Sequence, residues 1–296
     1  MRPGRAEDLP AVIDLWHAEV RAGRQDCVPG EAHLARMLAG FDWGARSRMV
    51  DDRSDGHGLE GAVLVAGRST SHGIVTQVSA AGDRADLRKD LLRWGLDLSR
   101  AAGAGSAQVW SGRGHSDGFV QLGLQFVRPW WRMDMSLLGE LPEPIPVAGY
   151  ELRDGDRVAA GGWSGVHNSS FEDHWRFSPR LEVELVTGRP PRLSLMATTR
   201  AGSRVAMTLG QLESYDQDPR PQPVGIVSSV GTVAEHRRRG LATWLVAEEL
   251  IRLRAEGARS ASLYVDGWNE TRAFDVYRKL GFELAFESEV WEATFP

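Results

Sequence analysis

The chain has 296 residues, a formal net charge of −5 and a single cysteine, Cys27. At roughly 150 residues per domain this length implies about two domains, each large enough to bury a core without staples. With 42% hydrophobic and 25% charged residues, a wholly disordered or fibrous chain is excluded, and the acidic balance disfavours binding of nucleic acid through a large basic surface. One cysteine excludes an internal disulfide and a cysteine-cluster metal site, and a reducing, cytoplasmic location is the simpler expectation. No metal is expected. The N-terminal MRPGRAEDLPAVIDLW lacks the continuous apolar core of a signal peptide, and no run of about 18 apolar residues is free of charge, so neither a leader nor a membrane span is expected.

The spacing predicts a first helix over Asp8–Val20, a Gly-rich surface connection over Asp51–Gly61 and a β-branched strand over Arg68–Ala80. The first half then closes with a strand (Ala107–Trp110), a short helix (Asp117–Gly123) and a strand (Phe126–Leu137). Pro142, Pro144 and Pro146 lie within five residues of GELPEPIPVAG. Proline cannot donate to a ladder and extends its predecessor, so this reads as a semi-rigid linker. It divides the chain into residues 1–139, a linker over 140–148, and residues 149–296.

The second half repeats the order of the first: a helix over Asp156–Asn168, a strand over Val205–Gln211, a surface connection over Glu213–Gly225, and a closing strand (Ala261–Val265), helix (Glu270–Leu280) and strand (Phe282–Ala293). Strands mixed with helices at these lengths predict an α/β fold, layered in the α+β manner, in each half. The two halves read as a tandem repeat.

The informative stretch is Val224–Phe282. A β-rich run, VGIVSSVGTV, enters AEHRRRGLATWLVAEELIRLRAEG, where Ala242, Val246, Leu250 and Leu253 recur at helical spacing and Gly257 is placed to end the helix. The first N–H groups of a helix lack partners and carry the positive end of its dipole, so an anion is stabilised there. Gly240 removes a side chain where a diphosphate must approach the backbone, Ala242 keeps the first turn small, and Arg237, Arg238 and Arg239 add charge. There is no Walker lysine and no spaced-glycine dinucleotide fingerprint. Downstream, Asn269 is placed as a helix cap, Ala273 and Tyr277 are four apart on one face, and Gly281 closes the helix.

Arg237-x-x-Gly240-x-Ala242 followed by Asn269, Ala273, Tyr277 and Leu280-Gly281-Phe282 resembles the acetyl-CoA site of the GCN5-related N-acetyltransferases. The resemblance implies two tandem domains of that type, each a mixed, mostly antiparallel sheet flanked by helices, in the arrangement of the mycothiol synthase type. It implies that the strand before the loop splays from its neighbour and offers backbone near Thr232 and Val233 to the pantetheine arm and the oxyanion. The N–H groups of Arg238, Arg239, Gly240, Leu241, Ala242 and Thr243 would hold the pyrophosphate. Asn269 would contact the arm, Ala273 would leave room for it, and Tyr277 would protonate the departing thiolate. On residue type alone, Tyr277 also fits a core aromatic and Asn269 a plain helix cap.

Relatives often carry an acidic residue early on the strand before the loop, where this chain has Ile226, so the base is unassigned. NSSFEDHWRFSP, residues 168–179, supplies Glu172 and His174 as candidate acceptor and base groups beside Phe171 and Trp175. The same segment also reads as an amphipathic helix with Phe171 and Trp175 in the core. In the first half AAGDRADLRKDLL lacks the arginine–glycine loop and places Asp83 and Asp86 where a diphosphate would be repelled, so that copy reads as degenerate. The Trp130–Trp131 pair reads as packing. The expected reaction is acetyl transfer from acetyl-CoA to a primary amine of a small molecule or peptide. The rival is a non-catalytic acetyl-CoA-binding regulatory module, which needs the loop but not Tyr277.

Overall fold

The architecture was taken from a computed structural model, which describes residues 1–52, 58–70, 73–158 and 162–296, with the backbone alone at 32 and 36. In chain order the elements are β1 (Arg2–Pro3), α1 (Leu9–Arg21), α2 (Glu31–Met37), α3 (Trp43–Arg46), β2 (Ser47–Asp51), β3 (Leu59–Thr70), β4 (Gly73–Gly82), α4 (Ala85–Ala101), β5 (Ser106–Gly112) and β6 (Gln125–Ser136). They continue with β7 (Tyr150–Asp154), α5 (Gly162–Phe171), α6 (Glu182–Val186), β8 (Ser194–Thr199), β9 (Arg204–Glu213), β10 (Val224–Thr232), α7 (Leu241–Ala255), β11 (Ser260–Asp266), α8 (Ala273–Lys279) and β12 (Glu283–Thr294). Of the connection expected over Asp51–Gly61, residues 53–57 lie outside the described residues, as do 159–161 of the helix expected over Asp156–Asn168.

Two compact units share the chain. The first comprises Met1–Trp130, Tyr215–Asp218 and Phe286–Pro296, the second Trp131–Ser214 and Pro219–Ala285. The split therefore differs from the sequence boundaries of 1–139 and 149–296, because β6 and β12 each run through both units. Strand order in the first unit is β1-β2-β3-β4-β5-β12, with β12 antiparallel to β5 from Ser288↔Gly112 to Thr294↔Ser106. In the second it is β6-β11-β10-β9-β8-β7. Within each unit the pairing is mixed and mostly antiparallel. Sequence periodicity cannot show which half a terminal strand joins, since either partner buries the same face.

Three local expectations are corrected. Arg68–Ala80 is not one strand but the end of β3 and most of β4, which pair antiparallel from Gly61↔Gly82 to Thr70↔Gly73. Asp117–Gly123 holds only a three-residue 3-10 turn, Val120–Leu122, stopped by Gly123 at φ 80°. The helix expected from Glu270 starts at Ala273, because Arg272 adopts the left-handed region at φ 52°.

In the second unit α7 covers one face of the sheet. Gly225 of β10 lies against Leu253, and Val227, Val246, Leu250, Ala261, Leu263, Val265, Tyr277 and Phe282 form one buried cluster. Gly231, six residues on, lies instead against Ser170 and Phe171 of α5. An even separation keeps side chains on one face of a regular strand. The register shift between Ser228 and Gly231 inserts one residue, with Ser229 at φ 49°, and this bulge turns Gly231 toward α5. Trp163, Val166, Leu185, Met196, Met207 and Leu209 fill that second face. Among the described residues no helix is long and apolar enough to cross a membrane.

Glu249 of α7 is fully buried, and neither carboxyl oxygen has a hydrogen-bond partner. It lies over Gly210, where an added Cβ would strike the carboxyl. Burial pushes its pKa well above the ordinary carboxylate range. The folded state keeps this proton where the unfolded chain releases it, so stability is full below the ordinary Glu value of about 4.3 and falls as pH rises, by up to about 1.4 kcal/mol per unit. Chemical denaturation between pH 5 and 8 is expected to show that decline in the wild type relative to Glu249→Gln. Parallel pH profiles for the two proteins would show that the carboxyl titrates normally.

Candidate functional site

β10 and β11 run parallel for three residue pairs, Val224↔Ser260, Gly225↔Ala261 and Ile226↔Ser262, and then part. On its other edge β10 stays paired with β9 through Thr232↔Ala206. Val233 donates its N–H to the carbonyl of Val205 at 3.0 Å. Alternate residues of an antiparallel strand bond to the same neighbour, so Thr232 turns its N–H and C=O away from β9 and into the opening. The Thr232 carbonyl accepts from Arg237 Nε at 3.1 Å. Of the two backbone positions expected to serve a ligand, Val233 has its N–H engaged in the sheet, and the N–H of Thr232 is the one that faces the gap.

Ala234–His236 form a 3-10 turn, and the loop then reaches α7 through Arg238 at φ 60° and Gly240 at φ 87°. The left-handed backbone at the N-cap explains the glycine there, since a Cβ costs roughly 1–2 kcal/mol in that region. No side chain caps α7, so the N–H groups of Leu241, Ala242 and Thr243 have no intrahelical acceptor and no cap. Arg238, Arg239, Gly240 and Thr243 are exposed, Ala242 is half-buried and Leu241 is buried. Arg239 donates back to the Glu235 carbonyl at 3.2 Å. Among the described residues Arg238 has no side-chain partner. The uncapped helix start, the exposed glycine and the adjacent guanidinium groups suit a diphosphate.

Arg237 is placed differently from its neighbours. Its guanidinium donates to Asp173 Oδ2 at 3.0 Å and to the Ser170 carbonyl at 3.0 Å, in addition to Thr232. It ties the end of α5 to the end of β10. The ion pair holds the Asp173 carboxyl below the usual carboxylate range.

Asn269 is not the N-cap of α8. Its Oδ1 accepts from the backbone N–H of Thr271 at 2.8 Å and from the Thr271 hydroxyl, an Asx turn four residues ahead of the helix. Ala273 is the first helical residue and is half-buried. Tyr277, one turn on, is 7% exposed within the apolar cluster under α7, its ring edge-on to Phe282 at 6.2 Å. Burial raises the phenol pKa above its ordinary value near 10. The hydroxyl therefore stays protonated near neutrality.

The segment after α5 forms turns, not the amphipathic helix that would set Phe171 and Trp175 on one core face. His174 packs edge-on to Phe171 at 4.8 Å and is half-buried, and Glu172 is exposed. His167, not singled out from the sequence, also packs against Phe171, at 4.8 Å, and burial lowers its pKa. This stack borders Gly231, where a Cβ would sit 2.9 Å from both Ser170 and Phe171.

Two further polar groups were not legible in the sequence because their partners are remote along the chain. Arg189 donates to Ser228 Oγ at 3.1 Å. Ser262, last in the parallel ladder, donates to Asp134 Oδ1 at 2.6 Å and accepts from Arg220 at 2.7 Å.

The first unit repeats the strand geometry without the cradle. β4 and β5 pair in parallel over Val75↔Ser106, Thr76↔Ala107 and Gln77↔Gln108. The N–H of Gly82 there donates to the buried carboxyl of Glu19 at 3.2 Å, and Arg88 donates to the Gly82 carbonyl at 2.7 Å. Asp86 occupies the first turn of α4 and pairs with Arg84. Among the described residues of the chain no group of three or more His, Cys, Asp or Glu side chains could hold a metal ion.

Residues 219–291 match the family model described as FR47-like protein. The chain is 32% identical over 173 residues to the mycothiol acetyltransferase of Kytococcus sedentarius, an alignment covering 53% of this chain and 54% of that protein. The chain spans about half the length of the curated relatives it matches. A GCN5-related N-acetyltransferase from Sphaerobacter thermophilus superposes with a TM-score of 0.79 at 22% identity, covering 99% of this chain and 94% of that one. A tandem protein of the same superfamily from the clavulanic acid biosynthesis pathway gives 0.67 at 18% identity, covering 100% and 98%. The fold is thus that of the GCN5-related N-acetyltransferases, and the sequence likeness is to the FR47-like model and to mycothiol acetyltransferases over about half their length.

If Asp173 fixes the loop through Arg237, Asp173→Ala raises amide exchange over residues 235–243 severalfold. Unchanged protection there would mean that the Ser170 and Thr232 carbonyls hold Arg237 by themselves.

Proposed function

We propose that this chain, with the fold of the GCN5-related N-acetyltransferases, transfers acetyl from acetyl-CoA to a primary amine of a small molecule or peptide, using the second unit. The observation that carries the reading is the parting of β10 and β11 directly ahead of the uncapped, arginine-flanked start of α7. Acetyl-CoA supplies an activated thioester. The N–H groups of residues 238–243 hold its diphosphate, with Arg238 and Arg239 adding charge at the exposed rim. The backbone of β10 facing the opening, Thr232 foremost, aligns the arm as an added strand would.

Arg237 serves this site through Asp173 and Ser170, as a brace on the loop. Asn269, as an Asx turn ahead of α8, and Ala273, its first residue, are the groups of this segment that would meet the arm. Tyr277 carries its proton near neutrality and can give it to a leaving thiolate; burial makes the phenol a weaker acid, but the same desolvation makes a thiolate beside it more basic. His174, at the end of α5, is the group best suited to take a proton from the incoming ammonium, and Glu172 adds negative charge at the exposed edge. In the first unit, Glu19 and Arg88 occupy the backbone at the end of β4 that would receive the arm, and Asp86 stands at the helix start, so that copy acts as scaffold.

A second reading, mycothiol synthesis itself, is favoured by the 32% identity to the Kytococcus protein. Ile226, on the strand position where relatives often carry an acid, stands against it. A regulatory module that only binds acetyl-CoA needs the loop and not the phenol.

Calorimetry with acetyl-CoA is expected to show the Arg238→Glu/Arg239→Glu double variant binding about tenfold more weakly or worse, about 1.4 kcal/mol. Equal affinity would make both arginines plain surface residues. In a thiol-release assay across a panel of amines, Tyr277→Phe is expected to lower kcat by about 100-fold with acetyl-CoA affinity retained. An unchanged kcat would remove Tyr277 from the chemistry.

A further inference from the structure

On the α5 face of the second unit, the sheet carries a cation whose hydrogen bond among the described residues goes to a neutral hydroxyl. Arg189 follows α6, and its guanidinium is half-buried. Its hydrogen bond among the described residues goes to Ser228 Oγ, a neutral group, and it forms no ion pair there. Ser228 is fixed in turn by donating to the Leu209 carbonyl at 3.0 Å. The acidic groups that act on Arg189 at longer range are Glu213 and Glu249. Glu249 holds its proton, and Glu213 accepts from Gln211 at 2.8 Å. A guanidinium has five N–H donors in a planar fork, and a half-buried one is ordinarily matched by a carboxylate or phosphate.

Its position along β10 gives the cation a use. Ile226 is the last residue of β10 paired with β11, and Ser228 lies two residues on, on the same face and ahead of the bulge. Arg189 therefore stands over β10 where the opening begins. Gly231, the aromatic stack of Phe171 and His174, and the Arg237–Asp173 pair lie further along the same strand edge.

We propose that Arg189 is a specificity-determining residue that binds a carboxylate of the acceptor, so that the acceptor is an amino acid or another amine bearing a carboxylate. This rests on the acetyl-transfer reading and narrows its substrate class. A single guanidinium, which can present two parallel N–H donors, matches the one charge and two oxygens of a carboxylate, while the Ser228 proton stays with the Leu209 carbonyl. A phosphate dianion would call for a second cation, and the negative charge of Glu213, which weakens the site for either anion, weighs more heavily against the dianion.

The test uses the full chain. Thiol release from acetyl-CoA is measured for L-amino acids against their carboxamides, and for glucosamine against glucosamine 6-phosphate. The carboxylates are expected to exceed their amides at least tenfold in kcat/KM. Arg189→Met should erase that difference through a KM raised 10- to 100-fold, with kcat and acetyl-CoA affinity nearly unchanged, and Arg189→Lys should retain part of it. Equal use of acids and amides, preference for the sugar phosphate, or an Arg189→Met variant that keeps the preference would overturn the proposal. Ligand-observed NMR with N-acetylglycine against N-acetylglycinamide reads the same site without turnover. Binding of the acid to wild type but not to Arg189→Met supports it even where no amine is acetylated, and absence of that binding refutes it. Failure of acetyl-CoA to bind in calorimetry would instead count against the transfer reading.

Discussion

Two parallel strands that pair for three residues and then diverge leave backbone donors and acceptors without a ladder. Buried peptide groups are rarely left unpaired, so such a gap calls for something strand-like to complete it. In the second unit the gap stays open, and β10 leads through a short loop to the uncapped start of α7. In the first unit the same divergence is followed by a glycine whose N–H already meets the buried carboxyl of Glu19. One fold thus gives an open cradle in one unit and an internally satisfied one in the other, and what separates them is a few side chains around a helix N-terminus.

The bulge at Ser229 is the second constraint. It reverses the facing of everything beyond it on β10, placing Gly231 under α5 rather than α7. The end of α5 thereby comes close enough for Asp173 to meet Arg237, so the aromatic and acidic residues after α5 share a strand edge with the phosphate-type loop. Three consecutive arginines have three different circumstances as a result: Arg237 is locked into the fold, Arg239 bonds back to its own turn, and Arg238 is left to solvent.

Much of this was legible in the sequence, and the reasons are local. The 3.6-residue spacing of α7, the glycine at its left-handed N-cap and the β-rich run before it are properties of contiguous residues, and they appear where expected. The closing strand and the helix bearing Tyr277 were likewise legible, within a few residues. What escaped depends on partners far along the chain. The exchange of strand ends between units, the Glu19 carboxyl filling the first unit, and the pairing of Arg189 with Ser228 all join residues separated by tens of positions. The bulge escaped for another reason: Ser228-Ser229 carries neither the glycine nor the proline that usually marks an irregular strand. Asn269 shows the intermediate case, in which the residue is as expected but forms an Asx turn because Arg272 enters the left-handed region ahead of the helix.

Hydrogen–deuterium exchange with and without acetyl-CoA tests the central idea most directly, because it reads the backbone groups themselves. The account predicts new protection over residues 230–243 of the second unit, with none at the matching 78–88 of the first. Protection confined to the first unit, or no change at the start of α7, would contradict it.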